Sequence, residues 1–535
     1  MSTMLTLRRA FALLALALVA APLLASAPLF DPDEGLHAAI AQEMVQRGDY
    51  VTPTFLDQPF LDKPILFFWA EAGSLRLFGH HEAAIRIPPL LFGLLGMIAV
   101  AGLGRALFGE PAGLIAGIAY GTMLLPLGVS EVAVHDVGLV PFMVAACWCL
   151  LACVPGPGRT VSARRIALMG IVAGLCLGLS ILTKGLVGVV FTGIFGVCLV
   201  VHRPSAIRQV AIALTIAGVV AVLVAAPWYI AMEGAHPGYL HYYFVERHLQ
   251  GYLTATQRHA GRPFWYYVPI VLGGALPWTA YLIGAARSAR GSRLRLVVWG
   301  WFVIGLAFLS IGESKLVTYA LPLFPALAII VGGYLAVSQV RRAFLVHVIV
   351  LALLPPLGLI ALHWKYGPVR PWTWSAVVLF SVLTVEAGRR ARQSRLEHGL
   401  IVWIAGMSIC ALAGMMIVAP QVANWMTSRD LAAVLNREGV LPSRVSVLDE
   451  RIGSLVFYLD PPLRADASRR RLDEATFTDA VALARVDPPD AVLAVRNTHL
   501  PHFYRLFSSP PVPFATAGTF TLFRAEALRQ AMEMR

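Results

Sequence analysis

The run Asp31-Pro32-Asp33-Glu34 places three carboxylates at the exit of an apolar stretch, residues 11–27. A carboxylate is costly inside a bilayer, so an acid cluster at its edge is first read as functional. Held at the interface, Asp33 or Glu34 would act as a general base or orient a nucleophile. Acids are also favourable at a helix start in their own right, and a helix is expected from about Gly35, so capping is the competing role. Asp62-Lys63-Pro64, Arg86 and His135-Asp136 follow downstream. Asp136 would supply a second carboxylate, or belong to an ordinary short loop.

Four cations, Lys63, Arg86, Lys184 and Lys315, sit at span ends on the side opposite most of the arginines. Lysine and arginine can snorkel from such places. Four together point to an anionic lipid head group, with phosphate as the ligand. A second loop, 230–263, carries His241, Glu246-Arg247-His248, His259 and the aromatics Tyr239, Tyr242, Tyr243 and Tyr252, with Trp265 just beyond. Aromatics at this level form an interfacial belt. Asp62 with His248 and a further histidine is the candidate set for a divalent metal; no other cofactor is expected.

The elements that must position these residues are membrane spans. The chain has 535 residues, 58% of them hydrophobic and 14% charged, and a mean hydropathy of +0.71. That apolar load exceeds what a soluble domain carries. Stretches long enough to cross recur at 10–29, 87–108, 112–130, 136–154, 166–183, 185–201, 209–229, 264–284, 296–312, 316–338, 344–362, 372–388 and 398–419, about 13 spans. The net charge of +13 falls in short arginine clusters that alternate between successive connections, among them Arg8/Arg9, Arg105, Arg164/Arg165, Arg287/Arg290 and Arg389/Arg390/Arg395. All land on one face when the N-terminus is cytoplasmic, a positive-inside pattern that argues against nucleic-acid binding. Residues 1–27 read as an uncleaved first span rather than a signal peptide. The six cysteines lie in apolar stretches and read as small buried hydrophobes.

The loop 30–86, the loop 230–263 and everything after residue 420 then share the outer face. Residues 38–47 and 65–78 are amphipathic enough for short helices on the membrane surface. After about Asn424 the composition turns soluble. A helix capped at Thr427 or Ser428, with Leu431, Val434 and Leu435 on one face, is closed by Gly439. Strands are expected at Val445–Leu448, 491–495 and 519–523, giving a small α/β domain. The division is a transmembrane region 1–420 and an α/β domain 421–535. The chain carries no P-loop and no GxGxxG, so neither ATP-driven transport nor a dinucleotide is indicated.

These landmarks in order resemble the GT-C glycosyltransferases, the bacterial branch with the aminoarabinose transferase of lipid A most of all and the dolichyl-phosphate-mannose protein mannosyltransferases more distantly. The matching pieces are Asp33-Glu34, Glu43-Met44 with Gly48-Asp49-Tyr50 and Pro53, Asp62-Lys63-Pro64 with Trp69, Arg86-Ile87-Pro88, Asp136, Thr183-Lys184-Gly185, Pro263-Phe264-Trp265-Tyr266-Tyr267, Leu276-Pro277-Trp278, and Ser314-Lys315-Leu316 with Tyr319, Pro322 and Pro325. They cover roughly residues 30–330.

The resemblance implies a GT-C membrane fold of about 13 helices and a periplasmic α/β domain, in the bacterial inner membrane. It implies inverting transfer of a sugar from a polyprenyl-phosphate donor to a periplasmic acceptor: lipid A, another envelope glycolipid or polysaccharide, or protein. Asp33 matches the acid of the first loop and Asp136 the second acid. Lys63 with Arg86 would hold the donor phosphate, and Tyr319 could hydrogen-bond it. Leu36 and His37 depart from that branch's arginine and tyrosine, and Phe60 from its aromatic hydroxyl, all at positions associated with donor or acceptor recognition. A monomer is expected. The competing class is a lipid or solute transporter with a periplasmic sensor domain, but internal repeats are lacking and the acids lie in loops rather than mid-span.

Overall fold

The computed structural model describes every residue except 1, 25–26, 157–159, 255–260, 290, 338–340, 367–370, 393–418, 468–471 and 534–535. The expected span 398–419 and Arg290, Arg395, His259 and Cys410 lie outside the described residues, apart from Ala419. The chain forms two compact units. The first comprises Met1–Leu24, Leu61–Phe67 and Arg86–Gly414; the second comprises Ala25–Phe60, Phe68–Ile85 and Met415–Arg535.

The first unit is helical. Among the described residues five helices are long and apolar enough to cross a membrane: Glu82–Phe108, Ala163–Lys184, Pro204–Ala235, Arg293–Ile311 and Val317–Leu335. Two bent pairs, Glu110–Thr122 with Leu124–Ser130 (65°) and Phe264–Gly274 with Trp278–Ala289 (103°), bring the number to seven if each is one span. About thirteen were expected. The difference is local. Met123 is extended (ψ 136°) and breaks the first pair, and Pro277 stands at the break of the second. Asp136–Ala152 and Val187–His202 are apolar but have only 17 and 16 residues. Helices Arg341–Tyr366 and Pro371–Arg392 occupy the next two expected spans.

Apolar helices in lipid gain little from hiding hydrophobic surface from one another, so close packing does the work. Gly170, Gly174 and Gly178 line one stripe of Ala163–Lys184. Side chains on them would meet Ile216, Val220 and Val224 of the helix Ile207–Ala235 at 2.5–3.0 Å. This seam holds the helix that ends in Lys184. The helix Ser2–Leu24 packs on Glu110–Thr122: Phe11 fills the space beside Gly117, and Arg8 pairs with Glu110 at 2.6 Å. The five described cysteines are free and lie within these helices or, for Cys153, at a helix end.

The second unit contains a five-stranded mixed sheet in the order Leu472–Ala475, Val445–Leu448, Val492–Arg496, Phe520–Arg524, Ala515–Ala517. The first three strands are parallel and the last two pair antiparallel. Leu448, Leu493, Val495, Phe503, Phe523 and Leu528 make the core against the helices Phe477–Val486, Leu500–Tyr504 and Ala525–Glu533. Val492–Arg496 is buried at every position, as a central strand with both faces covered should be. The helix Arg429–Glu438 closes on Gly439 at φ 70°. Helices Asp33–Arg47 and Leu66–Phe78 supply the two short loop helices. Between them Glu43 accepts the N–H groups of Leu56 (2.9 Å) and Asp57 (3.0 Å) at the tip of a small hairpin. Trp69 Nε1 donates to Tyr50 O at 2.7 Å. Glu43, Tyr50 and Trp69 of the family pattern therefore shape the loop.

Candidate functional site

In the first unit three expected residues come together. Asp136 opens the helix Asp136–Ala152, and Lys184 closes Ala163–Lys184. Lys184 Nζ bonds Asp136 Oδ1, with both side chains about nine-tenths buried. The same Nζ lies 4.4 Å from the ring centre of Tyr319, a cation–π contact. Buried Tyr267 is an electrostatic neighbour of Tyr319 and Asp136. Lys315, 3% exposed, donates to Arg262 O at 3.3 Å. Arg86 is buried beside Glu131. Burial raises the Glu131 carboxyl to about 7, and Arg86 opposes the rise.

The segment His241–Gln250 is a π-helix. In an α-helix residues five apart point about 140° from each other; the i→i+5 winding brings them to one face. Tyr242 and Arg247 thus both reach Asp62. The Tyr242 hydroxyl donates to Oδ1, and Arg247 lies 2.9 Å from Oδ2. Tyr243 and His248 form the next such pair, with His248 Nδ1 2.8 Å from Tyr243 O. Burial lowers the His248 pKa, and Lys63 and Arg247 add to this. Gly185, at φ 72°, ends the Lys184 helix where a side chain would strike the His248 ring. Lys63 is half-buried and acts on His248 electrostatically. Among the described residues no group of three or more His, Cys, Asp or Glu could hold a metal ion. Asp62 is already engaged by a guanidinium and a phenol, so the pair Asp62 and His248 does not form a ready ligand set.

In the second unit the opening acids separate. Asp33 is exposed and begins its helix, whereas Asp31 and Glu34 are buried. Glu34 Oε2 accepts Phe30 N–H at 3.2 Å, tying the first turn of the helix to the segment before it. Asp31 accepts the N–H of Ser454 at 2.9 Å and also its hydroxyl. Burial raises the Asp31 carboxyl to about 7, against both Ser454 bonds. Glu71 is fully buried, and among the described residues neither oxygen has a hydrogen-bond partner. Burial, with Glu34 nearby, holds its pKa well above the usual range. Sequence reasoning missed the Tyr242–Arg247 clamp and the burial of Glu71 and Glu131. A period of five among the loop's polar residues was the only signal for the first.

The fold is shared with solved membrane proteins. The structure matches the crystal structure of ArnT from Cupriavidus metallidurans bound to undecaprenyl phosphate with a TM-score of 0.76 at 22% identity, over 97% of each chain. It also matches the archaeal oligosaccharyltransferase AglB from Archaeoglobus fulgidus with a TM-score of 0.52 at 12% identity, over 97% of this chain and 74% of that one. These show the shared fold.

In sequence, residues 62–230 match the family model for dolichyl-phosphate-mannose-protein mannosyltransferase. The chain is 33% identical over 313 residues to the undecaprenyl phosphate-alpha-4-amino-4-deoxy-L-arabinose arabinosyl transferase of Pectobacterium carotovorum, covering 58% of this chain and 55% of that protein. It is 33% identical over 361 residues to the transferase of the same name from Aeromonas salmonicida, covering 64% of each. The chain thus spans a little over half the length of the first of these relatives. The protein is a multi-pass membrane protein with the GT-C fold, and its resemblance to the aminoarabinose transferases holds in both sequence and structure.

Proposed function

We propose that the chain is an inverting glycosyltransferase. It moves a sugar from a polyprenyl-phosphate donor to an envelope acceptor, with lipid A the first candidate and another glycolipid, a polysaccharide or a protein the others. The observation that carries this reading is the grouping of Asp136, Lys184 and Tyr319 in a chain that shares the fold of a transferase crystallised with undecaprenyl phosphate.

In the reaction the acceptor oxygen attacks the anomeric carbon, and the bond from that carbon to the phosphate oxygen breaks. The polyprenyl phosphate leaves with the electron pair. Lys63, Arg86, Lys184 and Lys315 offset the charge that develops on it, the kind of electrostatic contribution that dominates such catalysis. Tyr319 hydrogen-bonds the phosphate, and Asp136 holds Lys184 until the donor arrives. Asp33, exposed at a helix start, takes the proton of a hydroxyl acceptor; for an ionised phosphate acceptor it only orients. Glu34, engaged with Phe30 N–H, sets the turn that carries Asp33. A divalent metal at Asp62 and His248 would have to displace Tyr242 and Arg247 from the Asp62 carboxylate.

The same reading gives about 13 spans in the bacterial inner membrane, a transmembrane region 1–420, a periplasmic face carrying the chemistry and the α/β domain 421–535, and a monomeric protein. Membranes bearing the chain should release free undecaprenyl phosphate from a labelled undecaprenyl-phosphate sugar when acceptor is supplied. Absence of release with every donor tried would instead favour the lipid or solute transporter.

A further inference from the structure

Within the second unit, the short helix Gly453–Tyr458 grips the segment that carries Asp33. Ser454 gives Asp31 both its N–H, at 2.9 Å, and its hydroxyl. The same hydroxyl accepts Ser428 N–H at 2.9 Å. Asp31 N–H donates to Met426 O at 3.0 Å. Leu29 N–H donates to the Tyr458 hydroxyl at 2.7 Å, and that hydroxyl donates to Glu82 at 2.9 Å. Beyond Asp33 the two backbones touch. A side chain on Gly35 would run into Ser454 N and Asp31 Oδ1, and one on Gly453 would run into the backbone of Leu36. Two glycines facing one another are what this approach requires.

The grip brackets Asp33. Leu29 and Asp31 are fixed on one side and Gly35 and Leu36 on the other, while the Asp33 side chain itself stays exposed. A buried carboxyl bonded by a hydroxyl and an N–H is an expensive way to join two segments, since apolar packing of the same volume joins them at least as strongly. A satisfied polar joint specifies one geometry instead.

We infer that Ser454 is a positioning residue for the proposed transfer: through the Asp31 carboxylate it sets the direction in which Asp33 is presented. This rests on the glycosyltransferase reading. Reacting groups displaced by about 1 Å lose on the order of a hundredfold in rate, so a loosened grip should act on turnover before it acts on donor binding.

The test uses the full chain in phosphatidylethanolamine–phosphatidylglycerol vesicles with an undecaprenyl-phosphate-linked sugar as donor. Ser454→Ala should lower kcat roughly ten- to hundredfold, with KM for the donor within about twofold. It should also speed amide exchange across residues 29–40 and leave the helix Ala163–Lys184 unchanged. Asp31→Asn, whose amide oxygen still accepts the Ser454 N–H, should fall between wild type and Ser454→Ala. Ser443→Ala removes a bond to Asp490 elsewhere in the same unit and should leave kcat as it was. A joint that serves stability alone would lower the unfolding midpoint of Ser454→Ala and spare kcat per folded molecule; that result overturns the inference, as does unchanged exchange at 29–40. If wild type releases no undecaprenyl phosphate from any donor, the glycosyltransferase reading fails, and the exchange arm still decides whether Ser454 governs this segment.

Discussion

In the first unit Asp136 is bonded by Lys184 and Asp62 by Arg247, whereas in the second Asp31 is held by a serine hydroxyl and backbone N–H. Glu71 of that second unit has no hydrogen-bond partner among the described residues. The contrast separates two uses of an acid. A carboxylate against a cation keeps the cation in place, an arrangement that suits the phosphate role proposed for Lys184. A carboxyl held by neutral donors in a buried setting drifts toward the protonated form and works as a joint. Composition treats the two alike; their partners decide.

The comparison can be broken at several points. The largest effect should come from Asp33→Asn, which removes a proposed base without altering shape; with a hydroxyl acceptor kcat should fall about 10²–10⁴-fold, and an unchanged kcat would reduce Asp33 to an orienter. Next, Lys184→Met strands Asp136 in a buried site. Loss of one partner from such a pair costs about 3–5 kcal/mol, so the unfolding midpoint should drop sharply. Adding Asp136→Asn should restore most of it.

Third is the pH response of the Asp31 joint. Its folded pKa of about 7 lies above the usual value of 3.8, so the folded state binds the proton more tightly than the unfolded chain does. Stability of the second unit should therefore be greatest at low pH and decline as pH rises toward 7, at a slope of up to about 1.4 kcal/mol per pH unit. Glu450 raises the Asp31 pKa further and Arg496 lowers it. Asp31→Asn should flatten the response, as read by unfolding midpoints between pH 5 and 8. The smallest effect belongs to Arg247→Gln. That side chain and Asp62 are 30% and 36% exposed, so the change should cost about 1 kcal/mol or less and shrink further with salt.

Much of this was legible in the residues. Gly439 and the spacing of Leu431 and Leu435 announced the helix Arg429–Glu438, and runs of β-branched and aliphatic residues announced the strands at Val445–Leu448 and Val492–Arg496. Leu472–Ala475 escaped notice because Asp473 and Glu474 hide its pattern on an edge strand. Lys184 and Asp136 stood out as charges at span ends, but nothing in their separation of 48 positions declared that they meet. The Asp31–Ser454 bond joins residues 423 positions apart, and no local rule reaches that far. The π-helix was invisible for a different reason. Its winding answers to Asp62 and to neighbouring rings rather than to the 3.6-residue period by which helices are read.

The central claim of the proposed function is that the chain breaks a sugar–phosphate bond with the help of Lys63, Arg86, Lys184 and Lys315. Its most direct test follows undecaprenyl phosphate released from a labelled undecaprenyl-phosphate sugar by membranes bearing wild type or Lys63→Ala. Release matched mole for mole by glycosylated acceptor in wild type, and lost in Lys63→Ala, is the predicted result. Equal release from both would contradict the assignment of the phosphate site, and no release from either would contradict the reaction itself.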